Sequence, residues 1–214
     1  MVQLCWLGVL LSTWQVATVG WAGEDAHDRI LPPPNRAGGA SLLQALEQRR
    51  TTREFKTDVL GDQTLSDLLW AACGVNRPGE GKRTVPTAKN AQEIDVYVAL
   101  ADGLYRYEAE THRLRHVARE DLRGLTSGQD FARVAPVALV FVADFARFKD
   151  TAEADAQRYA VFDTGAIAQN ISLYCAGAGL GTVVHELARE PLARAMQLGE
   201  RQSIIMAQAV GWPK

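Results

Sequence analysis

The stretch I-D-V-Y-V-A-L-A-D-G-L-Y-R-Y, residues 94–107, decides the fold. Ile94, Val96, Val98 and Leu100 alternate with Asp95 and Tyr97, the period of two that turns one face of a strand inward. Asp102-Gly103 is a two-residue turn sequence, so residues 104–107 read as the returning arm of a hairpin, and 112–117 offers a third strand. A hairpin of this kind is not stable alone and needs further elements on its apolar face.

Those elements lie on both sides of it. Ser41 and Gln44 form a capping box, and Leu42, Leu43 and Leu46 recur at helical spacing up to Arg50. Thr64 and Asp67 repeat the device ahead of Leu65, Leu68, Leu69 and Ala72, with Gly74 as the stop. Residues 121–133 read as a helix. Residues 137–142 are a continuous apolar run suited to a strand covered on both faces. Residues 153–178 read as a long helix that buries Tyr159, Phe162, Ile167, Ile171 and Tyr174, and Gly177, Gly179 and Gly181 end it. Pro191 opens a short helix and residues 203–210 close the chain as a strand. The expected class is α+β: a mostly antiparallel sheet wrapped by helices.

The chain has 214 residues, 47% of them hydrophobic and 22% charged, with a net charge of −2. That composition excludes disorder, and the lack of a basic surplus excludes general nucleic-acid binding. Residues 1–23 carry no charged side chain and include Trp6, Trp14 and Trp21. Residues 1–22 read as a signal peptide or N-terminal anchor, 23–40 as a Pro-rich linker and 41–214 as the folded domain. Export would place the protein in the periplasm; a mis-assigned start would return it to the cytoplasm. Cys5 receives no role. Cys73 and Cys175 sit among small apolar residues, as buried thiols or as a disulfide. No spacing of His, Cys or carboxylates suggests a metal, and no nucleophile motif is present.

Three segments carry candidate binding chemistry. Arg49, Arg50, Thr51, Thr52 and Arg53 put three guanidinium groups and two hydroxyls within five residues, which suits a phosphate monoester. The same cations would also complement a helix C-terminus. Pro86, Thr87, Ala88, Lys89, Asn90, Ala91 and Gln92 precede the first hairpin strand. Their amides suit the donor–acceptor edge of a heteroaromatic ring, or simply a solvated turn. Gly177 to Val184 is glycine-rich; such backbone can approach a flat ligand closely, although a helix C-cap accounts for one of its glycines.

In their order, these segments resemble the nitroreductase-like family of FMN-dependent oxidoreductases. The matching pieces are R-R-T-T-R-E-F from Arg49, P-T-A-K-N-A-Q-E-I from Pro86 and A-P-V-A-L-V from Ala135. D-T-G-A-I-A-Q-N from Asp163, G-A-G-L-G-T-V from Gly177 and the terminal V-G-W-P complete them. The resemblance implies an intertwined, domain-swapped homodimer with FMN at each subunit interface. It places Arg49, Arg50 and Thr51 on the flavin phosphate and Arg53 near the ring N1 and O2. Pro86, Thr87, Ala88 and Asn90 would come from the partner subunit, and Gly181, Thr182 and Val183 would line the N5 and O4 side. The implied activity moves hydride from NAD(P)H or another donor to a small organic acceptor such as a nitroaromatic or quinone, with no catalytic side chain. The alternative is an exported flavin-binding protein, or a dehydrogenase that does not use NAD(P)H. The chain stops at Lys214, where many relatives continue to a further basic residue for the phosphate; Lys214, or Lys82 with Arg83, would have to substitute. Lys89, in the partner motif, is expected to favour an anionic substrate.

Overall fold

The structure, a computed structural model, describes residues 27–214. The leader read over 1–22, with Cys5 and the first part of the linker, lies outside the described residues. The elements in chain order are β1 (Arg29–Ile30), α1 (Leu42–Gln48), α2 (Asp62–Cys73), β2 (Val75–Arg77), β3 (Lys82–Arg83) and β4 (Ile94–Leu100). There follow β5 (Gly103–Glu108), β6 (Arg113–Ala118), α3 (Phe131–Val134), β7 (Val137–Asp144), α4 (Glu153–Gly177), β8 (Gly181–His185), α5 (Arg189–Ala195) and β9 (Gln202–Gly211). Seven strands form one antiparallel sheet in the order β1-β6-β5-β4-β7-β9-β8, and β2 and β3 make a separate small hairpin. The fold is α+β, as the hairpin and the apolar run imply.

Alternation along β4 sorts its side chains between two cores. Ile94, Val96, Val98 and Leu100 pack with Leu65, Leu68 and Leu69 of α2 and Ile167 and Ile171 of α4. Tyr97 and Ala99 join Val140 and Val142 of β7 against Leu192 and the α5 region on the other face. The central strands β4 and β7 are therefore buried on both sides, which explains the unbroken apolar run of β7.

The short strand β1 pairs with β6, so the described end of the expected linker is docked, with Leu31 buried. Ser66 Oγ donates to Pro32 O at 2.6 Å and also meets His112 Nε2 at 2.7 Å, while His112 Nδ1 meets Tyr107 Oη at 2.8 Å. Asp67 accepts from the backbone N–H of Asn35 at 2.7 Å. Proline carbonyls and an α2 face rich in acceptors and hydroxyls hold this segment where its composition alone reads as a spacer.

Several local expectations are corrected. The Ser41–Gln44 capping box forms, but α2 starts at Asp62 after Gly61, so Thr64 lies inside the helix and Asp67 serves Asn35 and Gln63 instead. Residues 121–133 hold only a single 3-10 turn and the four-residue α3. Gly124 and Gly128 weaken a continuous helix, and Asp121 turns the chain by accepting from the N–H and guanidinium of Arg123. Pro191 is the third residue of α5, where its missing N–H still has no helical partner to lose. The glycine-rich stretch after α4 runs into a strand that the expected element order lacked, β8. Cys73 and Cys175 are buried free thiols, both pushed to higher pKa by burial, Cys73 to about 11.

Two apolar stripes are left outside. Leu42, Leu43 and Leu46 of α1 are exposed, Leu43 by 77%. On α4, Val161 and Phe162 are exposed, Phe162 by 68%, so the expectation that Phe162 is a core residue of its own protomer is corrected. Helical periodicity marks an apolar face without saying what covers it.

Candidate functional site

The arginine-bearing segment leaves α1 and attaches to the edge of the sheet. Thr51 bridges Thr182 of β8, Thr52 N donates to Thr182 O at 2.9 Å and Lys56 N donates to Trp212 O at 2.8 Å. Phe55, 1% exposed, is the wedge beneath, packed with Phe131 and Val183. Backbone pairing and one buried ring thus hold the main chain, while Arg49, Arg50, Thr51 and Arg53 remain exposed.

Two adjoining clefts open along this segment. One of about 540 Å³ is lined by Arg49, Arg50, Thr52, Ser172, Gly179 and Thr182 among others. The second, about 320 Å³, is lined by Arg50, Thr51, Arg53, Glu54, Pro213 and Lys214. Arg50 belongs to both. Lys214 is drawn in by its N–H, which donates to Glu54 O at 3.2 Å. Among the described residues no carboxylate forms an ion pair with Arg49, Arg50, Arg53 or Lys214. Four unpaired cations and a hydroxyl at one lip make a positive, anion-accepting site. Of the two further cation sources, Lys214 stands beside Arg50, whereas Lys82 and Arg83 line a different cleft.

Gly181, Thr182 and Val183 lie under this lip with their side chains engaged by the protein. A Cβ on Gly181 would stand 2.8 Å from Thr52 Cγ2 and 3.3 Å from Phe55 Cε1, so the glycine lets the segment lie flat on β8. Thr182 Oγ1 donates to Ala209 O at 2.8 Å and accepts from Gln208 Nε2 at 3.0 Å. Val183 is buried beside Phe55 and Phe131. His185, at the far end of β8, is buried edge-on to Phe131, and burial lowers its pKa.

Pro86, Thr87 and Asn90 line a third cleft of about 400 Å³ together with Arg77, Lys82 and Arg83. The turn that carries them is held at several points. Ala88 N donates to Asp163 Oδ2 of α4 at 2.7 Å, Gln92 N donates to Thr87 Oγ1 at 3.2 Å, and Arg147 Nη1 donates to Gln92 O at 2.7 Å. Lys89 Nζ donates to Thr151 Oγ1 at 2.9 Å and is not among the residues lining that cleft.

The turn meets α4 at Asp163, while the arginine-lined cleft meets the same helix at Ser172 and Ala176. Nine and thirteen residues of helix separate Asp163 from Ser172 and Ala176, about 14–20 Å at 1.5 Å per residue, and the clefts share no lining residue. Within one protomer the two motifs therefore do not share a cleft. Sequence reading missed Glu93 and Asp163, two buried carboxyl groups behind the turn, and Arg147, which joins the turn to Asp95. For Asp163 a signal existed: it stands on the same helical stripe as Ala160, Ile167 and Ile171, all buried.

Comparison with known proteins assigns this antiparallel sheet, edged by a cationic lip and backed by one long helix, to a family. Residues 46–212 match the model of the nitroreductase family, and the chain belongs to that family. A curated Methanocaldococcus jannaschii protein assigned as a nitroreductase is 32% identical over 152 residues, which span 66% of this chain and 76% of that one. The crystal structure of a Ralstonia eutropha protein, also assigned as a nitroreductase, is 42% identical with a TM-score of 0.84 and covers 92% of both chains. A Desulfovibrio desulfuricans relative, crystallised in complex with FMN, shares the fold at 21% identity and a TM-score of 0.59, over 81% of this chain and 87% of that one.

Proposed function

We infer that the protein is an FMN-dependent oxidoreductase that works as a homodimer and passes hydride from NAD(P)H to a small organic acceptor such as a nitroaromatic or quinone. The observation that carries this reading is the convergence of Arg49, Arg50, Arg53 and Lys214, unpaired among the described residues, on two adjoining clefts. Such a lip fits the dianionic phosphate of FMN, and the family membership and the FMN-bound relative support the choice of that ligand.

FMN, when bound, supplies the capacity to accept and return hydride; the chain supplies grip, placement and charge. Arg49 and Arg50 hold the phosphate with the Thr51 hydroxyl, and Lys214 adds a fourth cation to the lip. Arg53 would supply positive charge toward the ring's N1–O2 edge. Gly181, Thr182 and Val183 keep the lip's backbone in place from below and would line the N5–O4 side. Pro86, Thr87, Ala88 and Asn90 complete the cleft from the partner subunit, since the helical distance keeps them from their own lip. The exposed stripes Leu42, Leu43, Leu46 and Val161, Phe162 are the apolar area that a second copy covers. No side chain need act as nucleophile or general base.

The uncharged stretch 1–23 favours a second reading, export to the periplasm, in which the donor is something other than NAD(P)H. One titration decides. Purified protein is mixed with FMN, its visible spectrum is recorded, and NADPH is then added without oxygen. Bound flavin that NADPH bleaches supports the first reading. Bound flavin bleached by dithionite alone supports the second. Protein that leaves FMN free rejects both.

A further inference from the structure

Behind the Pro86–Asn90 turn, two carboxyl groups are shut away from water. Glu93 immediately precedes β4 and is 0% exposed; Asp163 of α4 is 1% exposed. The two side chains face each other within hydrogen-bonding range. Asp163 Oδ2 accepts from Ala88 N at 2.7 Å, but Asp163 Oδ1 and both Glu93 carboxyl oxygens find no donor among the described residues. Two ionised carboxylates cannot be neighbours in such a place, because each loses hydration and repels the other. A single proton between them removes one of the two charges and pairs Asp163 Oδ1 with one of the Glu93 oxygens.

We propose that Glu93 and Asp163 share one buried proton and together act as a positioning pair for the turn that carries Asn90. Glu93 holds the proton and donates it to Asp163 Oδ1, which leaves Asp163 Oδ2 as the charged acceptor for the Ala88 N–H. The turn needs such an anchor. Lys89, Asn90 and Gln92 all have left-handed backbone, with φ of 55°, 53° and 50°, a conformation that non-glycine residues hold only when neighbours impose it. When Glu93 loses its proton to solvent, charge repulsion drives the two carboxylates apart and loosens the Asp163–Ala88 bond.

The charged groups facing Glu93 are few. Asp163 comes from α4, and Arg147 comes from the turn after β7. Arg147 is itself engaged by Asp95 of β4, at 2.7 and 2.8 Å, and by Asp144 at 3.4 Å. Burial is the largest influence on Glu93 and pushes its carboxyl up to about 7; its own backbone N–H opposes the rise, the Asp163 charge and hydrogen bond add to it, and Arg147 opposes it weakly. The pair therefore changes state near neutral pH.

The proposed effect on flavin rests on reading the Asn90 turn as half of the FMN cleft; the shared proton does not, so the test reads each separately. On the flavin-free chain, NMR follows the Glu93 carboxyl carbon and the Ala88 amide between pH 5 and 9. Both are expected to move together with a midpoint near neutrality. In Glu93→Gln, which keeps a donor toward Asp163, the Ala88 amide should stay at its low-pH position throughout. In Asp163→Asn the Glu93 midpoint should fall. A Glu93 carboxyl that titrates in the ordinary carboxylate range overturns the proposal. So does an Ala88 amide whose pH response survives in Glu93→Gln. Flavin quenching then reads the second part: wild-type affinity should weaken at least tenfold from pH 6 to pH 9, and Glu93→Gln should stay within about twofold of the pH 6 value. Equal pH dependence in both proteins removes the pair's effect on flavin. If neither protein quenches flavin at any pH while the NMR titrations hold, the FMN reading fails and the shared proton stands.

Discussion

Thr52 donates its backbone N–H to the carbonyl of Thr182 at 2.9 Å, joining the arginine-bearing segment to the outermost strand of the sheet. The lip is an extension of the sheet edge, so its charged side chains inherit the rigidity of the strands behind them. Gly181 permits that contact, and its replacement is the most direct way to disturb it.

Gly181→Val is expected to destabilise the protein by about 1–3 kcal/mol through overpacking against Thr52 and Phe55. Thermal unfolding should show a drop of several degrees, and flavin affinity should fall with it. An unchanged melting temperature would mean that the segment moves aside freely.

Arg50 lines both clefts of the lip. Arg50→Ala should weaken FMN binding by about 10- to 100-fold, in keeping with roughly 1.5–3 kcal/mol for a charge-assisted hydrogen bond. Riboflavin, which lacks the phosphate, should lose less than about twofold. Equal losses for the two flavins would place Arg50 on the ring rather than on the phosphate.

Phe162→Asp puts a charge into the exposed apolar face of α4. Sedimentation should show a monomer with native-like circular dichroism and flavin affinity reduced more than about tenfold. A variant that remains a dimer and binds FMN as before places the contact between copies elsewhere.

Stability should depend on pH through Glu108, whose carboxyl accepts from Arg113 Nε at 2.8 Å and Arg115 Nε at 2.7 Å. These arginines hold it down at about 2, against the resistance of burial. A lowered carboxylate stabilises the fold above its unfolded value of about 4.5, and that contribution is lost as pH falls through about 2. Glu108→Gln should therefore cost about 2 kcal/mol at pH 7, with the difference from wild type closing between pH 4.5 and pH 2. Glu93 has the opposite sign: its raised carboxyl favours the fold at low pH, and that contribution is lost as pH rises through about 7. Melting curves of both variants across pH separate the two.

Features set by neighbours in sequence were legible. The Ser41–Gln44 capping box and the alternation of β4 are local devices that appear where the residues place them, and the hairpin forms with its two-residue turn one position earlier than expected, at Ala101-Asp102, because Gly103 already pairs with Leu100. Features set by distant pairing were not. β8 hides behind Gly177, Gly179 and Gly181: its β-branched run Thr182, Val183 and Val184 is too short to stand out until pairing with β9 and Thr51 extends it. Phe162 reads as core because periodicity marks an apolar helical face without telling a buried face from an exposed one. Glu93 passes unnoticed because nothing local betrays that a charged residue at the head of a strand is buried against a helix about 70 residues later. The arginine cluster was readable as a cation source; the choice of Lys214 over Lys82 and Arg83 was not, because it depends on residues 212–214 returning beside Glu54, Phe55 and Lys56.

The docked N-terminal segment carries a practical consequence. β1 stands at one margin of the sheet and β8 at the other, six strand spacings or about 30 Å apart. A handle or surface link placed at His27, next to β1, sits on the margin remote from the cationic lip, and immobilisation there keeps the lip facing the solution.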